Sequence, residues 1–188
     1  MEPTLHTPRL TLLRLTNTSL SSPHVQYFHE LWSNPTVTAW SLHGATSSLA
    51  ESREWMEEQL GRYHTIFYSV FVKTEEGEGV GEHVGFVSLR LQSSLRMLAY
   101  AMFEGAWGRG YTTEASRTLL DAYAASVDAG RLEGKKVYVE ATVVGHNPGS
   151  VRVLEKLGFE RVGWKDEEEE VWLNGAWRDG YWVYGLYI

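Results

Sequence analysis

The chain has 188 residues, no cysteine and a formal net charge of −7. Without cysteine it has no disulfide framework, no thiolate metal site and no covalent thiol intermediate, and the acidic balance argues against a nucleic-acid binder that works by neutralising phosphates. The same balance favours a cationic partner, amines among them. The length suits one domain, 1–188, with a substantial core, since no Pro/Gly/Ser-rich linker or internal repeat divides it. Met1 to Thr4 lacks the basic start and apolar core of a signal peptide, and no apolar run approaches about 18 residues. A soluble cytoplasmic protein without a membrane partner is therefore expected. Eight Trp, ten Tyr and six Phe are many for this length, so most must be core and some can line a ligand site.

In chain order, Leu10 to Leu15 alternates as a strand. Ser22-Pro23 then opens a helix that places Val25, Phe28 and Trp32 on one side until Asn34-Pro35 stops it. Ser48 and Glu51 stand at capping-box spacing before a second helical stripe that runs to Tyr63. Three strands follow, Ile66 to Lys73, Val84 to Leu91 and Leu95 to Phe103, joined by hairpin turns at Glu75 to Gly79 and at Gln92 to Ser94. From Thr113, Ala115, Leu119, Tyr123 and Val127 recur every four residues, so one helical face should pack on the sheet until Gly130. Val137 to Val144 reads as a strand, Asn147 to Gly158 as a helix, Phe159 onward as a strand, and Tyr181 to Ile188 as the last strand, with Asn174-Gly175 as a two-residue hairpin signal.

Two segments carry chemistry. Trp107-Gly108-Arg109-Gly110-Tyr111-Thr112-Thr113-Glu114-Ala115 is a glycine-rich turn that opens into a helix directly after a strand. The first turn of a helix leaves backbone N–H groups unpaired at the positive end of its dipole, which suits a phosphate. The turn lacks the Lys-Ser/Thr pair of a P-loop and the third glycine of a Rossmann fingerprint. The second segment, Asn147-Pro148-Gly149-Ser150-Val151-Arg152-Val153-Leu154-Glu155-Lys156-Leu157-Gly158-Phe159, is a helix with its signals written in. Asn147 suits the N-cap, Pro148 the first helical position and Gly158 the left-handed stop.

Together these segments resemble the GNAT superfamily of acyl-CoA-dependent N-acetyltransferases, and within it the RimJ/RimL-like branch, named for ribosomal-protein alanine and serine N-acetyltransferases. Thr7 to Arg14 resembles the branch's first strand, and Asn174-Gly175 with Asp179 its last hairpin, so the resemblance spans nearly the whole chain. It departs at Thr112, where the superfamily usually has Gly or Ala.

The resemblance implies an α/β (α+β mixed) fold with a mostly antiparallel sheet of about seven strands and four helices. Its central parallel strand pair is parted to hold acyl-CoA. It implies acetyl-CoA as donor, an amine acceptor and no metal, with homodimerisation left open. Backbone near Met102 and Phe103 would pair with the pantetheine arm, N–H groups from Gly108 through Thr113 would hold the pyrophosphate, and Asn147 and Ser150 would face the arm's far side. Trp107 and Tyr111 would shape the coenzyme pocket or simply pack, and Arg109 would reach a phosphate or stay solvated.

An alkyl ammonium has a pKa near 10 and cannot attack while protonated, so a base is required. Glu140, amid apolar neighbours on the strand entering the groove, is the candidate, because desolvation there would raise a carboxyl pKa; His146 is a second. Many of these enzymes reprotonate the leaving thiolate with a helix tyrosine, but this chain has Leu154 at that position. In the RimL-like branch the serine of the later motif takes the role, which makes Ser150 the candidate proton donor. Glu114, in a helix's first turn, is explained by the dipole alone. The run Asp166 to Glu170 would either recruit cationic amines or remain a solvated strand end. The reaction expected is acetyl transfer to a small-molecule amine in a ternary complex. The alternatives are a protein N-terminus as acceptor, a silent acyl-CoA-binding regulatory domain, and a nucleotide-binding protein that uses the same turn.

Overall fold

The computed structural model describes residues 1–74, 81–128, 136–144 and 147–188. The expected turn at Glu75 to Gly79, the helix end at Gly130 and His146 lie outside the described residues. The strands are β1 (Thr4–His6), β2 (Leu10–Arg14), β3 (Ile66–Val72), β4 (Glu82–Gln92), β5 (Leu95–Met102), β6 (Tyr138–Val143), β7 (Glu160–Leu173) and β8 (Ala176–Tyr187). The helices are α1 (Pro23–Trp32), α2 (Pro35–Thr38), α3 (Leu49–Gly61), α4 (Tyr111–Asp128) and α5 (Pro148–Leu157), with a 3-10 turn at Glu104–Ala106.

Two elements exceed the seven strands and four helices read from the sequence. β1 is a three-residue edge strand, too short to show alternation, that pairs antiparallel with β2. α2 arises at Asn34-Pro35, whose sequence signals only a stop. Asn34 accepts from the N–H groups of Thr36 and Val37 at 2.9 and 3.2 Å, so the pair ends one helix and caps the next. β8 also begins earlier than Tyr181. Asn174 and Gly175 take φ values of 46° and 78°, the two positive values that a tight hairpin turn needs, and Leu173 pairs directly with Ala176.

The sheet order is β1-β2-β3-β4-β5-β6-β8-β7, and every pairing is antiparallel except β5 with β6. Successive strand residues fall into different cores, as alternation demands. Tyr68 and Val87 join Ala115, Leu119 and Leu154 on the face covered by α4 and α5. Phe67 and Phe86 join Phe28, Leu31 and Met56 on the face covered by α1 and α3. A helix that links two parallel neighbours across one face is the crossover that parallel pairing requires.

The parallel pair is short. β5 and β6 match only at Arg96 with Val139 and at Met97 with Glu140. Beyond that point β5 stays on β4 as far as Met102 with Gly85, and β6 stays on β8 as far as Val143 with Trp182. The sheet therefore opens as a wedge between two well-paired halves, and α4 starts at the mouth of the wedge.

Candidate active site

The loop entering α4 is set by its glycines. Gly108 and Gly110 have φ of +73° and +80°, a region costly for side chains that carry a Cβ. A Cβ at Gly108 would meet nothing within 4 Å, so the requirement there is conformational and the space beside the loop is open. Trp107, 56% exposed, ties the loop down by donating its indole N–H to the Met102 carbonyl at 2.9 Å.

Among the described residues, four of the five helices carry a side-chain cap, from Ser22, Asn34, Ser48 and Asn147. α4 is the exception. Its first residue, Tyr111, follows Gly110, whose carbonyl accepts from Glu114 N–H at 3.1 Å. Glycine has no side chain with which to cap. The N–H groups of Tyr111, Thr112 and Thr113 thus point out at the positive end of an 18-residue helix.

This end is strapped to the first hairpin. The Arg9 guanidinium pairs with Glu114 at 2.5 Å, donates through Nε to the same carboxylate at 2.8 Å and donates to the Arg109 carbonyl at 3.0 Å. It also lies 4.8 Å from the centre of the Tyr111 ring. Thr7 donates its hydroxyl to Glu114 at 2.5 Å. Burial alone would raise the Glu114 pKa, but the Thr7 and Arg9 hydrogen bonds outweigh it and hold the carboxyl below its usual range. The helix dipole alone does not explain Glu114; it is the anchor of the loop. Arg109 itself is exposed.

Inside the wedge, strand alternation decides which backbone groups are available. Phe103 N–H is already donated to Val84 O at 3.0 Å, so Phe103 turns toward β4 and its ring packs in the α1–α3 core. By the same alternation, Tyr100 and Met102 turn their main-chain groups into the gap, except that the Met102 carbonyl is held by Trp107. Across the gap, Asn147 caps α5 by accepting from Ser150 N–H at 3.1 Å. The Ser150 hydroxyl makes no hydrogen bond among the described residues and lines the cleft. Tyr100 spans the opening and donates its hydroxyl to the Ser150 carbonyl at 3.2 Å. Burial is the main cause that pushes the Tyr100 phenol up to about 12, so it stays protonated as a donor. Leu154 is fully buried.

The wedge and the cleft it opens into on the α1–α3 face together enclose about 940 Å³. Glu140, half-buried, stands at the last position where β6 pairs with β5 and lines the cleft. Lys165 lies close enough for Glu140 and Glu167 to help raise its pKa, after the larger contribution of the Tyr181 hydrogen bond. The acidic run is split. The register jumps from Asp166 opposite Gly180 to Val171 opposite Arg178, a wide bulge in which Glu167 lines the cleft while Glu168, Glu169 and Glu170 are exposed. Among the described residues no cluster of His, Asp and Glu is placed to hold a metal ion, and no helix is long and apolar enough to cross a membrane.

An acetyltransferase (GNAT) domain family matches residues 9–160 of this chain. The chain belongs to the GNAT acetyltransferase family. It is 27% identical over 168 residues to an uncharacterized N-acetyltransferase p20 of Bacillus licheniformis, covering 85% of this chain and 84% of that one. Among solved structures it is similar to spermidine N-acetyltransferase from Vibrio cholerae in complex with CoA and spermine, with a TM-score of 0.72, 17% identity and 96% of each chain covered. It is also similar to the acetyltransferase from Salmonella typhimurium that modifies the N-terminal serine of ribosomal protein L7/L12, with a TM-score of 0.68, 19% identity, and 97% and 96% covered.

In this acetyltransferase Asn147, Ser150 and Glu140 line one cleft, and Met102 and the glycine turn follow at the open end of β5. Phe103 faces away from it and Arg109 stands in solvent. Sequence reasoning missed Tyr100, Arg9 and the aromatic wall of Trp32, His43 and Trp55, in which His43 stacks on Trp55 with ring centres 4.1 Å apart. Tyr100 could have been suspected from its place two residues before Met102. Arg9 and the aromatic wall have no local signal.

Proposed function

We propose that this GNAT acetyltransferase moves the acetyl group of acetyl-CoA to a primary amine of a small molecule by direct attack in a ternary complex. The observation that supports the reading is the β5–β6 wedge, which opens beyond Met97 and Glu140 on the side where β5 runs on toward the uncapped start of α4 and is lined by Glu140, Asn147 and Ser150. N–H groups from Gly108 to Thr113 would hold the pyrophosphate, with the Thr112 hydroxyl and Arg109 in reach of it, and Trp107 and Tyr111 fixing the loop's shape. The main chain of Tyr100 and Met102 would pair with the pantetheine arm on one side, and Asn147 and Ser150 would face it on the other.

Glu140 would take a proton from the ammonium directly or through water, leaving a neutral amine. The amine nitrogen attacks the thioester carbonyl carbon, and a preorganised N–H on β5 steadies the oxyanion. As the C–N bond forms and the C–S bond breaks, the Ser150 hydroxyl passes a proton to the departing sulfur, and the proton that the acylated nitrogen sheds through water restores the hydroxyl, leaving a neutral amide and a free thiol. A silent acyl-CoA-binding role is the competing reading, favoured by Leu154 at the tyrosine position.

Titration calorimetry of acetyl-CoA into the protein, with a Gly110→Glu, Asn147→Ala double variant as control, tests binding. Thiol release against an amine library beside an N-terminal peptide panel tests transfer. Micromolar binding lost in the variant, with thiol release on an amine, is expected. Binding with no thiol release favours the silent role, release only with peptides favours the protein acceptor, and no binding overturns the coenzyme site.

A further inference from the structure

The cleft wall is rich in donors that lack acceptors. The indole N–H groups of Trp32 and Trp55 and the Nε–H groups of Arg90 and Arg178 are all buried without a hydrogen-bond partner, and all four residues line the cleft. Buried donors are normally paired, so donors of one kind gathered in one cavity describe a ligand with acceptor atoms.

The two arginines sharpen this to a charge. The chain carries 24 carboxylates against 17 basic residues, yet neither Arg90 nor Arg178 pairs with one among the described residues. The three cleft carboxylates are Glu58, Glu140 and Glu167. Glu58 is held by Arg62 at 2.9 Å, and Glu140 and Glu167 act on Lys165. The arginines rest instead on aromatic faces, Arg90 3.5 Å from the centre of the Tyr63 ring and Arg178 5.9 Å from that of Trp40. Stacking occupies the flat face of a guanidinium and leaves its in-plane N–H edge, which fits a carboxylate in two parallel bonds.

Position separates this edge from the coenzyme. Arg90 pairs with Met97, and Met97 with Glu140, so Arg90 and the candidate base stand in one row on one face, two strands or about 10 Å apart. Met97 is five residues before Met102, about 17 Å along the strand from the end of β5 that leads into the phosphate loop.

We infer that the acceptor is an amine that also carries an oxyanion, in the first instance a carboxylate, bound by Arg90 with support from Arg178. The amine lies toward Glu140 and the acid toward the α3 side of the cleft. This rests on the acetyl-transfer reading and narrows its substrate to amino carboxylates rather than polyamines.

The test uses the full chain and a panel of α- and ω-amino carboxylates of increasing length, each matched with its neutral amide and its phosphonate, beside spermidine. Acetyl-CoA binding is measured first by calorimetry, so that loss of that binding identifies failure of the coenzyme reading. Thiol release and thermal shift of the CoA-loaded protein are then read for each pair. At least one acid should exceed its amide by tenfold or more in kcat/KM, against the amide's less basic and intrinsically more reactive amine. Arg90→Gln should cut that ratio at least tenfold, and Arg178→Gln should cut it less, with acetyl-CoA affinity unchanged in both. Preference for the phosphonate would keep the inference and assign the anion as phosphate-like. Equal turnover of acid and amide, preference for spermidine, ratios unmoved in both variants, or no acid that shifts the loaded protein's melting would each overturn it.

Discussion

The two ends of the wedge are built from different materials. At the α4 end the functional groups are main-chain N–H donors, exposed because Gly110 supplies no cap and because two glycines hold positive φ. At the cleft end they are side chains, contributed by α1, α3, β4, β6 and β8. A site made of backbone can be written in a few consecutive residues, since glycine, proline and asparagine dictate where N–H groups point. A site made of side chains from distant elements leaves no such record, and it is the end free to change its ligand without disturbing the coenzyme.

The largest expected effect tests whether chemistry and coenzyme binding separate along this line. Glu140→Gln keeps the shape at the last position where β6 pairs with β5 but removes the base, so kcat should fall by about 10²-fold or more. Acetyl-CoA affinity by calorimetry should stay within error. A matching loss of affinity would mean that Glu140 holds β6 against β5, and the division between the two ends would fail.

A smaller effect is expected at the backbone end. Gly108→Val places a β-branched residue at φ +73° although its Cβ has open space, so steric contact is not the issue. Left-handed strain of about 1–2 kcal/mol would weaken acetyl-CoA binding by about 5- to 30-fold. Acceptor KM measured at saturating acetyl-CoA should not move. If it rises equally, the loop and the cleft behave as one unit.

The same division explains what could be read in advance. The caps Ser22, Ser48 and Asn147 and the stop at Gly158 were visible because each acts on residues within four positions. The parallel pair and its opening followed from the family resemblance on the two motifs. Arg9 and Glu114, 105 residues apart, and Arg90 on Tyr63, brought together only when β4 folds back past the end of α3, carry no local pattern. The acidic run divides between its two readings. As a sequence it is one feature, but the bulge turns Glu167 toward the cleft and leaves its neighbours in water.

The smallest expected effect is on stability, and it asks whether the two ends are tied down independently. His83, buried and stacked on Phe71 at 4.7 Å with its edge against Phe103, contacts Glu30 through Nδ1 at 2.8 Å. Burial lowers its pKa from 6.5 despite Glu30, so below pH 6.5 the unfolded chain binds the proton more readily than the folded one. Stability is therefore full above 6.5 and falls as the pH drops toward the lower folded value, no faster than about 1.4 kcal/mol per pH unit for one proton. His24, shifted the same way by burial, shares this limb. Glu114 forms a second limb, because its depressed carboxyl contributes stability that is complete above 4.5 and is lost as the pH falls through its folded pKa. In denaturant melts from pH 8 to pH 3, His83→Phe should flatten part of the upper limb and leave the lower one intact. Glu114→Gln should do the reverse. If either variant altered both limbs, the α1–β4 anchor and the α4 strap would form one cooperative unit.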